Sequence, residues 1–147
     1  MLEACADIGA AMVAFSPVAR GFLGGELRDV TTLDAKDIRR TMPRFEPELY
    51  AKNLRLLVPY AELAREVGCT PAQLALAWLL TRGKHVLPIP GTTNEAHARD
   101  NLRAADVVLS HDHLARLDDL INQRTVHGAR YNAATQTEID TEEFAAS

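Results

Sequence analysis

Apolar positions along the chain fall into two short runs without alternation, set among longer stretches with helical spacing. The runs are Met12 to Phe15 and Val86 to Ile89. Short apolar runs bounded by turn residues predict strands buried on both faces, the pattern of a parallel sheet. Met1 to Gly9 reads as the tail of a helix, with Leu2, Cys5 and Ile8 on one stripe and Gly9 placed to close it. With no capping residue ahead of it, this segment is expected to begin in the middle of a fold.

Helical spacing dominates the middle of the chain. From Pro47 the apolar stripe is Leu49, Leu56, Leu57, Tyr60, Leu63, Ala64 and Val67, stopped by Gly68, with a kink expected at Pro59. Thr70-Pro71-Ala72-Gln73 is a capping box with proline at the first helical position. It predicts a helix to Arg82, ended by Gly83, with Leu74, Ala75, Trp78 and Leu79 in the core. A helix over about 94–104 is expected to turn Ala98 and Leu102 inward, and Ser110 to cap a last one over 111–122 with Leu114, Leu117, Leu120 and Ile121 as its stripe. The stretch 26–45 is polar, and Asp34 is expected to cap a short helix through Arg40. It reads as a long inserted loop that folds over a ligand. Residues 125–147 read as a tail that packs on a neighbouring surface or stays mobile.

The order is therefore helix, strand, excursion, helices, strand, helices, which is two βα steps of an α/β fold. Two such strands do not close a sheet, and their edges leave backbone N–H and C=O groups needing partners.

The corner after the second run carries the first chemical signal. Val86 to Ile89 ends in Pro90-Gly91-Thr92-Thr93 before a helix begins. A helix N-terminus offers unpaired N–H groups and partial positive charge, which suit a phosphate.

Composition narrows the classes. The chain has 147 residues, 47% hydrophobic and 24% charged, a size and balance suited to one globular domain. A net charge of -4 argues against nucleic-acid binding, and Arg39-Arg40 reads as solvated surface. No apolar run reaches the length of a membrane span, and the first residues lack a signal pattern, so a cytoplasmic location is expected. Cys5 and Cys69 have no metal-ligand or disulfide spacing, and His111 and His113, two apart on a helix, read as surface residues.

Three segments, in order, resemble the aldo-keto reductases. Val13-Ala14-Phe15-Ser16-Pro17-Val18-Ala19-Arg20-Gly21-Phe22-Leu23-Gly24-Gly25 is similar to that family's seventh barrel strand and its loop. Gly68 to Trp78 is similar to the helix leading into strand eight, and Pro88-Ile89-Pro90-Gly91-Thr92 with Asp100-Asn101 to the segment that clamps the cofactor. The resemblance spans nearly the whole chain. It implies a partial (β/α)8 TIM barrel made of the C-terminal βα units, strands seven and eight, followed by C-terminal helices. It also implies NADP as cofactor, with NAD as the alternative, and a small-molecule carbonyl substrate. Phe15 then takes the place of the aromatic that stacks on the nicotinamide, and Ser16, Pro17, Val18, Arg20 and Gly21 wrap the pyrophosphate. Gly91, Thr92, Thr93 and His97 approach the adenosine phosphate, while Asp100 and Asn101 hydrogen-bond the adenine. Where the family commonly has Lys or Arg around that phosphate, this chain has Gly91, Thr93, Asn94 and His97.

The family's Tyr, Lys, Asp and His catalytic set lies on earlier strands, so none of it maps here, and the isolated chain is expected to be inactive. Its expected partner is the missing N-terminal barrel half, or a second copy joined through the open strand edges. The alternative is an orphan half-barrel that binds nucleotide or assembles without catalysis.

Overall fold

The computed structural model describes residues 1–138. The last nine residues of the expected tail, 139–147, lie outside the described residues. Helix α1 (Leu2–Asp7) leads into strand β1 (Met12–Phe15), and Gly9, at φ 68°, makes the turn between them. A glycine there avoids the cost of about 1–2 kcal/mol that a side chain incurs in the left-handed region. After an excursion of four 3-10 turns come α2 (Pro47–Leu54), α3 (Leu57–Val67), α4 (Pro71–Leu80) and strand β2 (Val86–Ile89). Then follow α5 (Glu95–Leu102), α6 (His111–Leu120) and the short α7 (Ala133–Gln136). Among the described residues no helix is long and apolar enough to cross a membrane.

The two strands pair in parallel, Met12 with Val86 through Phe15 with Ile89, as the α/β reading requires. The ladder begins with the Met12 amide donating to the His85 carbonyl, 2.8 Å. Alternate residues of a parallel strand face the same neighbour, so Pro88, which has no N–H, falls on the edge away from β1.

Burial of both faces, expected from the apolar runs, is overturned. Val13, Phe15, Leu87 and Ile89 share one face and are each about half exposed (51, 51, 50 and 53%). Only the opposite face packs inward, with Val86 buried against the helices. An unalternated run reports apolar surroundings on both sides, and this structure covers one of them.

The core sits among the helices and the excursion. Leu63 of α3 and Leu74 of α4 are fully buried, and Phe22, Met42, Phe45, Tyr50 and Leu57 extend the same cluster. Phe45 stacks on Tyr50 with centroids 5.5 Å apart, and Phe22 meets Tyr50 edge-on at 5.8 Å. Both are favoured aromatic geometries. The capping box forms as expected at Thr70 and Gln73. Trp78 packs partly buried against the core, with its Nε1 donating to Asp118 at 2.7 Å and the Arg82 guanidinium over its ring.

Four further expectations are corrected. The break in the long helix falls at Arg55-Leu56, between α2 and α3, four to three residues ahead of Pro59. Proline removes the N–H that would reach back to the carbonyl of Arg55, so the helix restarts there. Asp34 caps no helix; its carboxylate accepts from the Lys36 amide in a turn, while Asp29 and Asp37 cap the 3-10 turns Val30–Thr32 and Ile38–Thr41. Ala98 and Leu102 face outward, Leu102 being 77% exposed, because α5 turns Asp100 and Asn101 toward the body of the fold instead. The fourth correction, at Arg39, belongs to the cleft described below. Within the tail, Asn53 ties the backbone of His127 through its amide N–H and its carbonyl, so residues up to Glu138 lie in described structure.

Candidate functional site

Beyond the C-terminal ends of both strands lies a cleft of about 830 Å³. One wall is the loop after β1, and the other is the turn after β2 with α5. Of the residues expected to hold a cofactor, Ser16, Pro17, Val18, Arg20, Gly21, Gly91, Thr92, His97, Asp100 and Asn101 line it. Phe15 and Thr93 do not. Phe15 ends β1 with its ring half exposed, and the Arg130 guanidinium sits 4.8 Å from its centroid. Thr93 lies exposed on the turn.

The first wall is built from strained backbone. Ser16, Ala19 and Arg20 all have positive φ (51, 51 and 56°). Each such non-glycine residue costs about 1–2 kcal/mol, and strain of this kind concentrates at ligand sites. Tertiary contacts hold it: the Arg39 Nη1 donates to the Arg20 carbonyl at 3.1 Å. Arg39 is itself fixed by Asp37, which accepts from its Nε and Nη2 at 3.0 and 2.6 Å. The reading of Arg39 as solvated surface is therefore corrected; it lines the cleft and pins its strained wall. Hydrogen bonds from Arg39 pull the Asp37 carboxyl down to about 2.

On the second wall the expected strand, turn and helix N-terminus all form. Asn94 caps α5 by accepting from the Ala96 amide at 2.9 Å, and the Thr92 hydroxyl accepts from the Asn94 amide at 3.1 Å. Gly91, Thr92 and Thr93 are left open to solvent.

Asp100 has a structural role that no local pattern in the chain marks. Its carboxylate accepts from the Thr70 hydroxyl and from Gln73 Nε2, both at 2.8 Å. The capping box of α4 is thereby bonded to α5, and the corner that shapes the cleft is fixed. Thr70, Pro71 and Ala72 join the lining from this side.

The cleft mouth is spanned by His97 Nε2 and Glu26, 3.7 Å apart. Glu26 belongs to the excursion, so this loop does border the candidate site. Gly24, Ile38 and Ile89 complete the lining. No local motif marks Glu26, Arg39 or Ile38, and the capping box at Thr70 gives no hint of the cleft, because their place there depends on how distant segments fold together.

Two buried phenols are committed elsewhere. The Tyr50 hydroxyl donates to the Leu27 carbonyl and that of Tyr60 to the Pro71 carbonyl, both at 2.9 Å. Burial pushes both phenol pKa values up.

A parallel βα unit with a nucleotide-sized cleft at its strand C-termini defines an α/β ligand-binding class. The model of the Aldo/keto reductase family matches residues 1–122, and the chain belongs to that family. It is 34% identical over 139 residues to an aldo-keto reductase of Schizosaccharomyces pombe, yakc, whose name carries NADP(+), covering 95% of this chain and 41% of that protein. It is 30% identical over 130 residues to aldo-keto reductase str7 of Strobilurus tenacellus, covering 88% of this chain and 39% of that one. The chain thus spans about two fifths of these relatives. Among solved structures, a thermostable aldo-keto reductase in complex with the inhibitor epalrestat aligns with TM-score 0.51 and 28% identity, over 82% of this chain and 33% of its own. Glycerol dehydrogenase from Gluconobacter oxydans aligns with TM-score 0.76 over 86% of this chain and 38% of its own; at 23% identity it speaks for the α/β fold alone.

Proposed function

We propose that the chain is the cofactor-binding C-terminal portion of a (β/α)8 reductase that reduces aldehydes or ketones with NADPH, with NADH as the alternative. The observation that carries this reading is the convergence, in one cleft, of the loop after β1 and the corner after β2. Family membership supports it.

The residues present fit a nicotinamide dinucleotide. The cleft volume falls within the roughly 300–1,000 Å³ usual for small-molecule sites. Of its two carboxylates, Asp100 is engaged by Thr70 and Gln73, and Glu26 is exposed at the edge with His97 Nε2 3.7 Å away. In this reading Ser16, Pro17, Val18 and Gly21 enclose the diphosphate and Arg20 supplies positive charge. Gly91, Thr92 and Thr93 present the N-terminus of α5 to the adenosine phosphate, with the His97 imidazole beside it. Asn101 bonds the adenine. Asp100 reaches it only with the lone pairs left over from holding the corner. Phe15 offers the nicotinamide a ring, and Arg130 shares that ring. When bound, the cofactor supplies the hydride.

Carbonyl reduction also needs a positioned proton donor. With Tyr50 and Tyr60 bonded inside the fold, the chain alone is proposed to bind the cofactor without turning over. Calorimetric titration with NADPH and NADH, alongside absorbance of the reduced nicotinamide in the presence of an aldehyde, tests both parts. Saturable binding without oxidation is expected. Sustained oxidation by the pure chain sinks the inactivity, and no binding to the folded chain sinks the cofactor reading.

The exposed sheet face favours a second reading, an assembly module. Full burial of a Val, Leu, Ile or Phe side chain contributes roughly 1.5–3 kcal/mol, and half of that is unrealised at each of four positions. On the order of 3–6 kcal/mol is thus available to whatever covers Val13, Phe15, Leu87 and Ile89. The complementary barrel half fits this face, and so does a second copy. Light scattering with size exclusion separates them: a monomer that gains a soluble partner from the remaining barrel supports the first, and a concentration-dependent dimer the second.

A further inference from the structure

Behind the strained wall lies a second, smaller cavity of about 210 Å³, separated from the cleft by Ser16 and Arg20, which line both. Three arginines line it, Arg20, Arg44 and Arg130, and no aspartate or glutamate does. In a chain of net charge -4 this local excess of cations is unexpected. The other polar side chains around it are occupied: Asn53 by the backbone of His127, and Tyr50 by the Leu27 carbonyl. The arginines are not. Arg44 is oriented by its Nε, which donates to the Gly128 carbonyl at 3.0 Å, and neither of its Nη groups has a hydrogen-bond partner among the described residues. Arg130 rests on the rings of Phe15 and Tyr131, at 4.8 and 5.2 Å, and among the described residues it has no ion pair. Burial, and then the charge of Arg130, push the Arg44 pKa down. Arg44, half-buried, and Arg130, exposed at the rim, repel each other beside one cavity, and an anion between them would relieve that repulsion.

We propose that this cavity binds the anionic group of a small acidic molecule, and that the group is the carboxylate of an oxo-acid substrate. The arginine fork matches a planar carboxylate, forming two parallel N–H···O bonds. The cavity is too small for a dinucleotide, and Arg130, which lines it, also sits over Phe15, the ring proposed for the nicotinamide. Assignment to a substrate rests on the reductase reading; anion binding does not.

Calorimetry on the full 147-residue chain, with succinate as probe and inorganic pyrophosphate as its rival, tests the proposal. Saturable succinate binding is expected, weakened roughly tenfold in Arg44→Gln and in Arg130→Gln, the loss of one charge-assisted hydrogen bond. Arg130 is exposed, so Arg130→Gln keeps the fold and decides the matter alone if Arg44→Gln does not. Absent succinate binding, or unchanged affinity in Arg130→Gln, overturns the site. Tighter binding of pyrophosphate through the same arginines assigns the cavity to the cofactor's diphosphate and overturns the carboxylate. NADPH binding without succinate binding removes this inference and leaves the reductase reading standing; the reverse removes the reading and leaves the anion site.

Discussion

Replacing Asp100 separates the role it has, fixing the corner, from the one proposed for it, contact with a ligand. The wild-type carboxylate accepts two hydrogen bonds of 2.8 Å, from Thr70 and Gln73, and so joins α5 to the start of α4. Hydrogen bonds to a charged group contribute about 1.5–3 kcal/mol each, and partial exposure of this pair places both at the low end. Asp100→Ala is therefore expected to destabilise the chain by about 2–3 kcal/mol. With a urea slope near ~2 kcal/mol per molar, the unfolding midpoint falls by about 1–1.5 M. Asp100→Asn keeps a carbonyl oxygen for Gln73 and loses about half as much. Urea unfolding followed by circular dichroism, run beside NADPH titration, gives both readouts. A midpoint change in Asp100→Ala below about 0.3 M, together with lost NADPH affinity, would refute the structural role and make the carboxylate a ligand contact only.

Three other substitutions and one titration probe the strained wall, its support at Asp37, and two glycine turns elsewhere in the fold. Ala19→Gly relieves a left-handed residue worth about 1–2 kcal/mol but loosens the unfolded chain by about 0.4–1, so a net gain near ~0.5–1 kcal/mol in thermal or urea unfolding is expected. Destabilisation would show that the side chain does more than occupy the turn. Gly128→Ala sets a methyl 3.0 Å from the backbone of Pro43 and Arg44 at φ 88°, and is expected to cost about 2–3 kcal/mol. Gly68→Ala meets nothing within 4 Å and should lose only the left-handed penalty, about 1–2 kcal/mol. The Asp37 carboxyl, held down by Arg39, contributes stability present above its ordinary value of 3.8 and lost as pH falls toward about 2. A carboxyl chemical-shift titration should find its midpoint near 2 in the wild type; a midpoint at 3.8 would mean that the Arg39 contact is not formed in solution.

The sequence was legible wherever the signal was local. Thr70-Pro71-Ala72-Gln73 placed the start of α4 because every partner of the cap lies within four residues. The two apolar runs placed β1 and β2 at their observed bounds, and Gly9 and Gly68 closed their helices through positive φ. What failed was long-range. Asp100 meets residues 27 and 30 positions away, and Arg39 reaches Arg20 across 19, so neither spacing leaves a periodic trace. Ala98 and Leu102 were assigned inward by hydrophobicity, yet α5 is turned by the polar contact at Asp100, which outweighs its two apolar positions. The exposed sheet face is a different case. Val13, Phe15, Leu87 and Ile89 carry the composition of a covered surface, yet each is about half exposed, and the neighbour proposed above would cover them.

Most residues named from the family segments line the cleft, because those segments contain both of its loops. Its supporting residues were not legible in this way. Glu26 and Arg39 have no motif, that of Thr70 speaks only for its helix, and Arg44 and Arg130 lie 86 positions apart in sequence while lining one cavity.

Amide hydrogen exchange on the full chain, with and without saturating NADPH, tests the central claim most directly. Slowed exchange is expected only in the loop over residues 16–24 and the corner over 91–101, with helices α3 and α6 unchanged. Protection absent from both segments, or spread evenly over the chain, would contradict it.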